Sequence, residues 1–183
     1  FQAGSVEMYY PQTSYAYSKL FAYNLVKLYR NEYGLFACNS ILYNHESELR
    51  GREFVTRKIS MAVAAIMDGS KAKLELDNIS GEIDWGYAPE YVQGFHKMMQ
   101  LESASDWAFK TGKINTVEDF LEAAFSYKNL QWKEYVSFKS NKNVVDTISL
   151  PEYAPVLAGW KPKTTMKEIA RIMVDADMKR LRV

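Results

Sequence analysis

At 183 residues and 48% hydrophobic composition, the chain can bury a sizeable core, which fits one domain or the incomplete part of a larger one. Its 23 basic and 22 acidic residues leave a net charge of +1, too little to attract nucleic acid or an anionic membrane through a broad field, so any anion site must be local. The single cysteine argues against a disulfide framework and fits a reducing cytoplasm, and the sequence shows neither a membrane-length apolar run nor a signal-peptide pattern.

Phe1-Gln2-Ala3-Gly4-Ser5 reads as the end of a buried strand, with Ser5 and Glu7 placed where it opens into a loop. Such strand ends are where open α/β sheets hold ligands. Residues 15 to 33 then read as an amphipathic helix, with apolar side chains at Leu20, Phe21, Leu25, Val26 and Leu28 and with Gly34 closing it. Tyr15 and Lys19 fall one turn apart on the same face of that helix. An ammonium beside a phenol stabilises negative charge on the ring oxygen, which suits a group that takes a proton from a sugar hydroxyl as hydride leaves the same carbon. The spacing alone is met equally well by an ordinary amphipathic helix. A hydroxyl, a carboxylate, a phenol and an ammonium at one strand end would nonetheless form a set of proton-transfer groups suited to multi-step redox chemistry on a sugar.

Leu35 to Tyr43 is nearly continuous in apolar residues, as expected of a parallel strand covered on both faces, and Cys38 within it is expected to pack in the core. A helix feeding a buried strand is the repeating unit of a doubly wound sheet. Asn44, His45, Glu46, Glu48, Arg50 and Arg52 follow as a polar cluster at the C-terminal edge of that strand, either a solvated loop or a ligand loop. Phe54, Ile59, Ala62, Val63, Ile66 and Met67 recur with helical period, and Lys58 lies in the first turns. A cation beside helix-start amides can bind a diphosphate, the alternative being a simply solvated lysine.

Lys73 to Asp77 alternates like a short strand, and Pro89 to Glu102 reads as a helix with proline in its first turn. His96, Met98 and Met99 within it are expected to be structural, since no cysteine or carboxylate cluster accompanies them, and no metal is expected. Trp107 to Gly112 reads as strand and loop, Thr116 to Leu121 as the start of a capped helix, and Trp132 to Phe138 as another strand. Residues 139 to 158 are polar and irregular, and a last helix runs from Thr165 to about Arg180 with Ile169, Ile172, Met173 and Ala176 on one side.

Several unrelated strings then carry a resemblance: Ser5-x-Glu7, Ser14-Tyr15 with Lys19-Leu20-x-Ala22-Tyr23, Gly34-Leu35-Phe36-Ala37-Cys38-Asn39, Asn44-His45-Glu46-Ser47, Phe54-Val55-Thr56-Arg57-Lys58-Ile59, and Asp84-Trp85-Gly86. In this order they resemble GDP-mannose 4,6-dehydratase, an extended short-chain dehydrogenase/reductase, over about 1 to 129 and 159 to 181. The resemblance implies an α/β fold: part of a Rossmann-type doubly wound parallel sheet with a smaller α/β substrate-binding domain. Residues 1–52 would be the C-terminal part of the NADP-binding Rossmann domain and 53–183 mainly the substrate domain, with room for one or more segments within about 73–112 to return to the sheet. No Gly-x-x-Gly-x-x-Gly follows an opening strand, so the chain is expected to be a C-terminal portion or to need a partner.

The same resemblance implies conversion of GDP-mannose to its 4-keto-6-deoxy product through an internal redox cycle on NADP, in a cytoplasmic homo-oligomer, dimer or tetramer. Ser5, Glu7, Tyr15 and Lys19 match the catalytic positions. Tyr15, Lys19, His45 and Arg50 match contacts to NADP, and Arg50 would suit the adenosine 2′-phosphate because a guanidinium pairs with phosphate oxygens as a fork. Asn44, Val55 and Lys58 match contacts to the sugar nucleotide.

The chain also departs from that pattern. The step from Glu7 to Tyr15 is much shorter than the family's, Ile83 replaces an arginine before Asp-Trp-Gly, Tyr87 and Pro89 replace a polar pair, and no Arg-Pro-x-Glu-Val string occurs near Asn141 to Val145. Two cations missing from a diphosphate site amount to several kcal/mol, at roughly 1.5 to 3 for each charge-assisted contact. The shortened step bears on whether Ser5, Glu7 and Tyr15 converge and the other departures on the nucleotide end, and two alternatives stay open: a nucleotide-sugar epimerase or reductase of the same family, and a non-catalytic assembly module.

Overall fold

The computed structural model describes residues 1–77, 79–139 and 155–182. In chain order its elements are strand β1 (Gln2–Ala3), helix α1 (Ser14–Tyr33), β2 (Asn39–Leu42), β3 (Asn44–Glu46), α2 (Val55–Met67), β4 (Leu74–Leu76), β5 (Glu82–Tyr87), α3 (Ala88–Met98), β6 (Asp106–Phe109), β7 (Ile114–Thr116), α4 (Val117–Ser126), β8 (Val136–Phe138) and α5 (Met166–Leu181). The chain divides into two compact units: Phe1–His45 with Ala88–Gly112 and a stretch ending at Pro162, and Glu46–Tyr87 with a stretch from Lys113 and the C-terminal stretch from Lys163.

In the first unit, β1, β2 and β6 form a parallel sheet in that order, with Ala3 opposite Ser40 and Ser40 opposite Trp107. All four residues of β2 are buried, as the apolar run predicted, but the strand is shorter than Leu35 to Tyr43 because Leu35 and Phe36 stand exposed before it. Cys38 packs in the core with Leu42, Tyr91, Phe109 and Trp160. Helix α1 begins at Thr13, whose hydroxyl accepts from Ala16 N at 3.1 Å, and ends at Gly34 with φ 63°. Its apolar side chains do not form the buried stripe that the amphipathic pattern suggests: Ala16 is buried, whereas Phe21, Leu25 and Leu28 are exposed. The sheet meets the side of the helix that carries Lys19, Tyr23 and Arg30: Lys19 donates to Ala3 O, Tyr23 O accepts from Asn39, and Arg30 donates to Asp106.

In the second unit, α2, α4 and α5 pack with β5 and β7, which pair antiparallel, and with β4 and β8, which pair parallel. Ile59, Val63, Trp85, Phe120, Ile169 and Met173 anchor its core. Capping boxes start two of its helices: Thr116 exchanges hydrogen bonds with Asp119, and Thr165 with Glu168. Two expectations need correction. Trp132 to Phe138 is not one strand, since Trp132–Glu134 turns as a one-turn 3-10 helix that buries the indole before β8 begins. Ile83 and its neighbours form β5, which the sequence reading did not place as a strand. The expected irregular stretch 139 to 158 falls mostly outside the described residues. Among the described residues no helix is long and apolar enough to cross a membrane.

Candidate active site

Ser5 lies two residues past β1, where the chain opens into a turn as expected, but the strand is shorter than Phe1–Ser5 and is not buried, since Phe1 and Ala3 are exposed. The backbone approach there is close: Gly4 N donates to Ser40 O at 2.8 Å, and a Cβ on Gly4 would stand 2.6 Å from that oxygen. Ser5 is 7% exposed and its Oγ accepts from Glu7 N at 3.2 Å, which caps the one-turn 3-10 helix Val6–Tyr9. The cap holds Ser5 and Glu7 in one turn, with the Glu7 side chain exposed.

Tyr15 lies in the first turn of α1 with 51% of its surface exposed, so its ring is not sealed in the core. Lys19 Nζ stands 5.4 Å from the centre of that ring and donates to Ala3 O at 2.8 Å. The ammonium thus faces the tyrosine that the spacing paired it with, and it also ties the helix to the end of β1 two residues before Ser5. Among the described residues no hydrogen bond joins Ser5 or Glu7 to Tyr15 or Lys19. The structure therefore gathers the four as two pairs at one strand end.

Past β2, Asn44 is exposed, and His45 Nδ1 lies 2.9 Å from Tyr43 O. A carbonyl can only accept, so Nδ1 carries the proton in that contact. The imidazole stacks on Tyr91 with ring centres 5.0 Å apart, which fixes its plane.

In the second unit the remaining predicted residues cluster around the loop into α2. Glu46 is 2% exposed, its Oε2 accepts from Thr56 Oγ1 at 2.8 Å, and the same oxygen stands 3.2 Å from Arg50 Nε. Burial pushes the Glu46 carboxyl above its ordinary range, and the charge of Arg50 with the Thr56 hydroxyl offsets only part of that. The Arg50 guanidinium lies flat over Phe54, 3.5 Å from the ring centre. Helix α2 opens with no side-chain cap, Val55 is partly buried at its start, and Lys58 is exposed one turn in. Uncapped amides and a cation at a helix start can receive a phosphate.

The sequence reading missed the residues that fix this loop. Arg57 is buried and donates from Nη1 to Glu48 O at 3.0 Å and to Arg50 O at 2.8 Å, while its Nε and Nη2 reach Asp177 at 2.9 and 2.7 Å. Ser60 Oγ donates to the same carboxylate at 2.6 Å, and Arg180 Nη2 donates to Glu48 O at 2.7 Å. A signal was present: Thr56 and Ser60 fall on the α2 face of Ile59 and Val63, and Asp177 continues the spacing of Ile169 and Met173, so polar residues occupy apolar registers. The concave surfaces around Trp132 and around Arg171 in this unit contain none of the predicted residues.

A family model described as GDP-mannose 4,6 dehydratase matches residues 5–173. GDP-mannose 4,6 dehydratase 2 of Arabidopsis thaliana is 38% identical over an alignment covering 97% of this chain and 52% of that protein. The Homo sapiens GDP-mannose 4,6 dehydratase is 36% identical over 95% of this chain and 52% of its own length. The chain thus spans about half the length of the curated relatives it matches. Among solved structures, RMD from Pseudomonas aeruginosa complexed with NADPH superposes with a TM-score of 0.81 at 17% identity, covering 97% of this chain and 65% of that one. The dTDP-glucose 4,6-dehydratase of Bacillus anthracis in complex with NAD gives 0.80 at 15% identity, covering 99% of this chain and 62% of that one. These likenesses fix the fold as α/β with a Rossmann-type parallel sheet, as expected from the helix-to-buried-strand order. With the family model matching residues 5–173 of the sequence, the chain belongs to the GDP-mannose 4,6-dehydratase family.

Proposed function

We propose that this chain is part of an enzyme that converts GDP-mannose to GDP-4-keto-6-deoxymannose by internal redox on NADP and loss of water. The observation that carries the reading is the Tyr15–Lys19 pair at the end of β1, with the ring open to solvent and the ammonium 5.4 Å from its centre. The residues fit a phosphorylated dinucleotide: among the described residues the two η nitrogens of Arg50 have no protein partner, and the Lys19 ammonium lies at a strand end. Tyr15, Lys19, His45 and Arg50 would hold NADP, and Asn44, Val55 and Lys58 the sugar nucleotide. NADP supplies the hydride acceptor, and later its donor, when bound.

Tyr15 takes the proton of the sugar C4 hydroxyl as hydride leaves C4, and Lys19 stabilises the charge that develops on the phenol oxygen. Glu7 removes the C5 proton, which the new C4 ketone acidifies. The Ser5 hydroxyl still has its hydrogen to give while its oxygen accepts from Glu7 N, so it can polarise that ketone or assist departure of the C6 hydroxyl. Hydride returns at C6, so the sugar ends oxidised at C4 and reduced at C6 with one water lost. A homo-oligomer belongs to the same reading, supported by the exposed Tyr17, Phe21 and Leu28 on α1.

Turnover of GDP-mannose by the intact protein in deuterated water tests the assignment: deuterium at C5 together with water loss is expected. A second reading, an epimerase or reductase acting on another sugar nucleotide, is favoured by Ile83, which packs against the apolar core of its unit where the family has an arginine. Turnover of another sugar nucleotide without elimination would establish it. Failure of the intact protein to bind NADP would instead favour a non-catalytic assembly module.

A further inference from the structure

Arg50 is held in an unusual way for an arginine with part of its surface open. Its Nε faces the buried Glu46 carboxylate at 3.2 Å, its flat face lies on Phe54, and its backbone oxygen accepts from Arg57 at 2.8 Å. Its amide also donates to Ser47 O at 3.0 Å. The side chain is 26% exposed, and the exposed part includes the two η nitrogens that lack a protein partner among the described residues. An arginine that satisfied its charge on the protein would turn its fork to the carboxylate, since the bidentate pairing is the stronger one. Here the carboxylate stands beside the inner nitrogen as an ion pair without a hydrogen bond, and the fork is left over. Arginine loses less freedom on forming paired hydrogen bonds when its plane is already fixed.

We infer that Glu46 is a positioning residue, whose buried carboxylate with the Phe54 ring sets the Arg50 guanidinium so that both η nitrogens are presented as a fork to a phosphate group of a bound nucleotide. Thr56 completes the device by fixing the carboxylate with its hydroxyl at 2.8 Å. The uncapped start of α2, immediately after Phe54, adds amide donors on the same stretch of chain. The inference rests on the proposed reading of this chain as a nucleotide-binding enzyme, and assigns within it a role to a residue that touches neither nucleotide. The phosphate belongs to the dinucleotide or to the sugar nucleotide, and the ligand set of the experiment separates them.

The experiment uses the intact protein and four variants, Glu46→Gln, Arg50→Ala, Arg50→Lys and the Glu46→Gln/Arg50→Ala pair, titrated with NADPH, NADH and GDP by calorimetry. Glutamine keeps the size of Glu46 and an acceptor for Thr56, and removes the charge. Arg50→Ala is expected to weaken one ligand about tenfold or more, the loss of one charge-assisted contact. Glu46→Gln should weaken the same ligand about three- to tenfold, with the pair no weaker than Arg50→Ala alone, because the two residues act as one unit. Arg50→Lys should fall close to Arg50→Ala, since lysine offers no fork. An effect confined to NADPH identifies the 2′-phosphate, one shared by NADPH and NADH identifies their diphosphate, and one on GDP identifies the substrate diphosphate. Thermal melting separates positioning from damage: Glu46→Gln should weaken binding without lowering the melting temperature. Unchanged affinities in Glu46→Gln beside a weakened Arg50→Ala would overturn the positioning role and leave the nucleotide reading standing. Unchanged affinities in Arg50→Ala as well would overturn the reading on which it rests. Losses that simply add in the double variant would also overturn it.

Discussion

Arg57 and Asp177, 120 residues apart in the chain, meet through two parallel contacts, Nε to Oδ2 at 2.9 Å and Nη2 to Oδ1 at 2.7 Å, with both side chains almost fully buried. The pair joins α2 to α5, and the third guanidinium nitrogen of Arg57 holds the carbonyls of Glu48 and Arg50. A carboxylate in α5 thus orders the loop that precedes α2. Removing one partner of a buried pair strands the other charge, at about 3–5 kcal/mol. Asp177→Ala should therefore lower unfolding stability by about that much, and urea unfolding checks it. A loss under about 1 kcal/mol would mean that the Ser60 hydroxyl and water take over as acceptors for Arg57.

The fold was legible in the sequence where pattern and packing agree. Thr116, Thr165 and Gly34 mark real helix ends because each boundary residue acts locally, by side chain or by φ. The buried parallel strand was legible from the apolar run Leu35 to Tyr43, though the strand itself covers only Asn39–Leu42. Within the candidate site, the facing of Tyr15 and Lys19 follows from helix geometry alone. What remained hidden is non-local. No spacing rule links Arg57 to Asp177, or Asp106 to Arg30, across such separations. Likewise, the exposure of Phe21 and Leu28 is decided by which edge of α1 meets the sheet, a tertiary choice that amphipathic pattern does not contain.

Asp106 gives the first unit a pH-dependent element. Burial pushes its carboxyl up, but the hydrogen bonds from Arg30 at 2.8 Å and Asn39 at 2.9 Å, with the charge of Arg30, outweigh burial and hold it below its ordinary value of 3.8. A carboxyl depressed in the folded state contributes stability that is complete above the unfolded value and is lost as pH falls through the folded one. Asp106→Asn should cost about 1.5–3 kcal/mol at neutral pH, the range for a charge-assisted contact. The gap between the two proteins should narrow below 3.8, in acid titrations of urea midpoints. A gap that stays constant into strong acid would show that Asp106 does not carry the linkage.

Gly94 lies on the buried face of α3 against two rings. A Cβ there would collide with Phe109 and come 2.7 Å from Trp160 Nε1, which is committed to Glu90 O at 2.8 Å. Alanine at an exposed helix position would gain about 1 kcal/mol in propensity. Overpacking a filled core costs about 1–3 kcal/mol, and both rings belong to the core of this unit, so the clash should dominate. Gly94→Ala is expected to melt at lower temperature than the parent, and a higher melting temperature would show that the rings move aside without cost.

The proposed division of labour among the four residues at the end of β1 makes the steps separable. Tyr15 handles the C4 hydroxyl proton, so without its phenol hydroxyl the first hydride transfer lacks its base. Tyr15→Phe keeps the ring that faces Lys19 and should slow C4 oxidation by about two to four orders of magnitude, the usual span for a general base. Glu7 acts one carbon away and one step later. Glu7→Gln should therefore still oxidise C4, visible as a burst of reduced cofactor on rapid mixing with GDP-mannose, while water loss and deuterium entry at C5 stop. Lys19→Met should impair both steps, since it removes the charge beside the phenol and the 2.8 Å tie to Ala3 that fixes the helix to the strand. Equal loss of the burst in Glu7→Gln and Tyr15→Phe would contradict separate roles: a carboxylate needed before C4 is oxidised cannot be reserved for the C5 proton that the ketone acidifies.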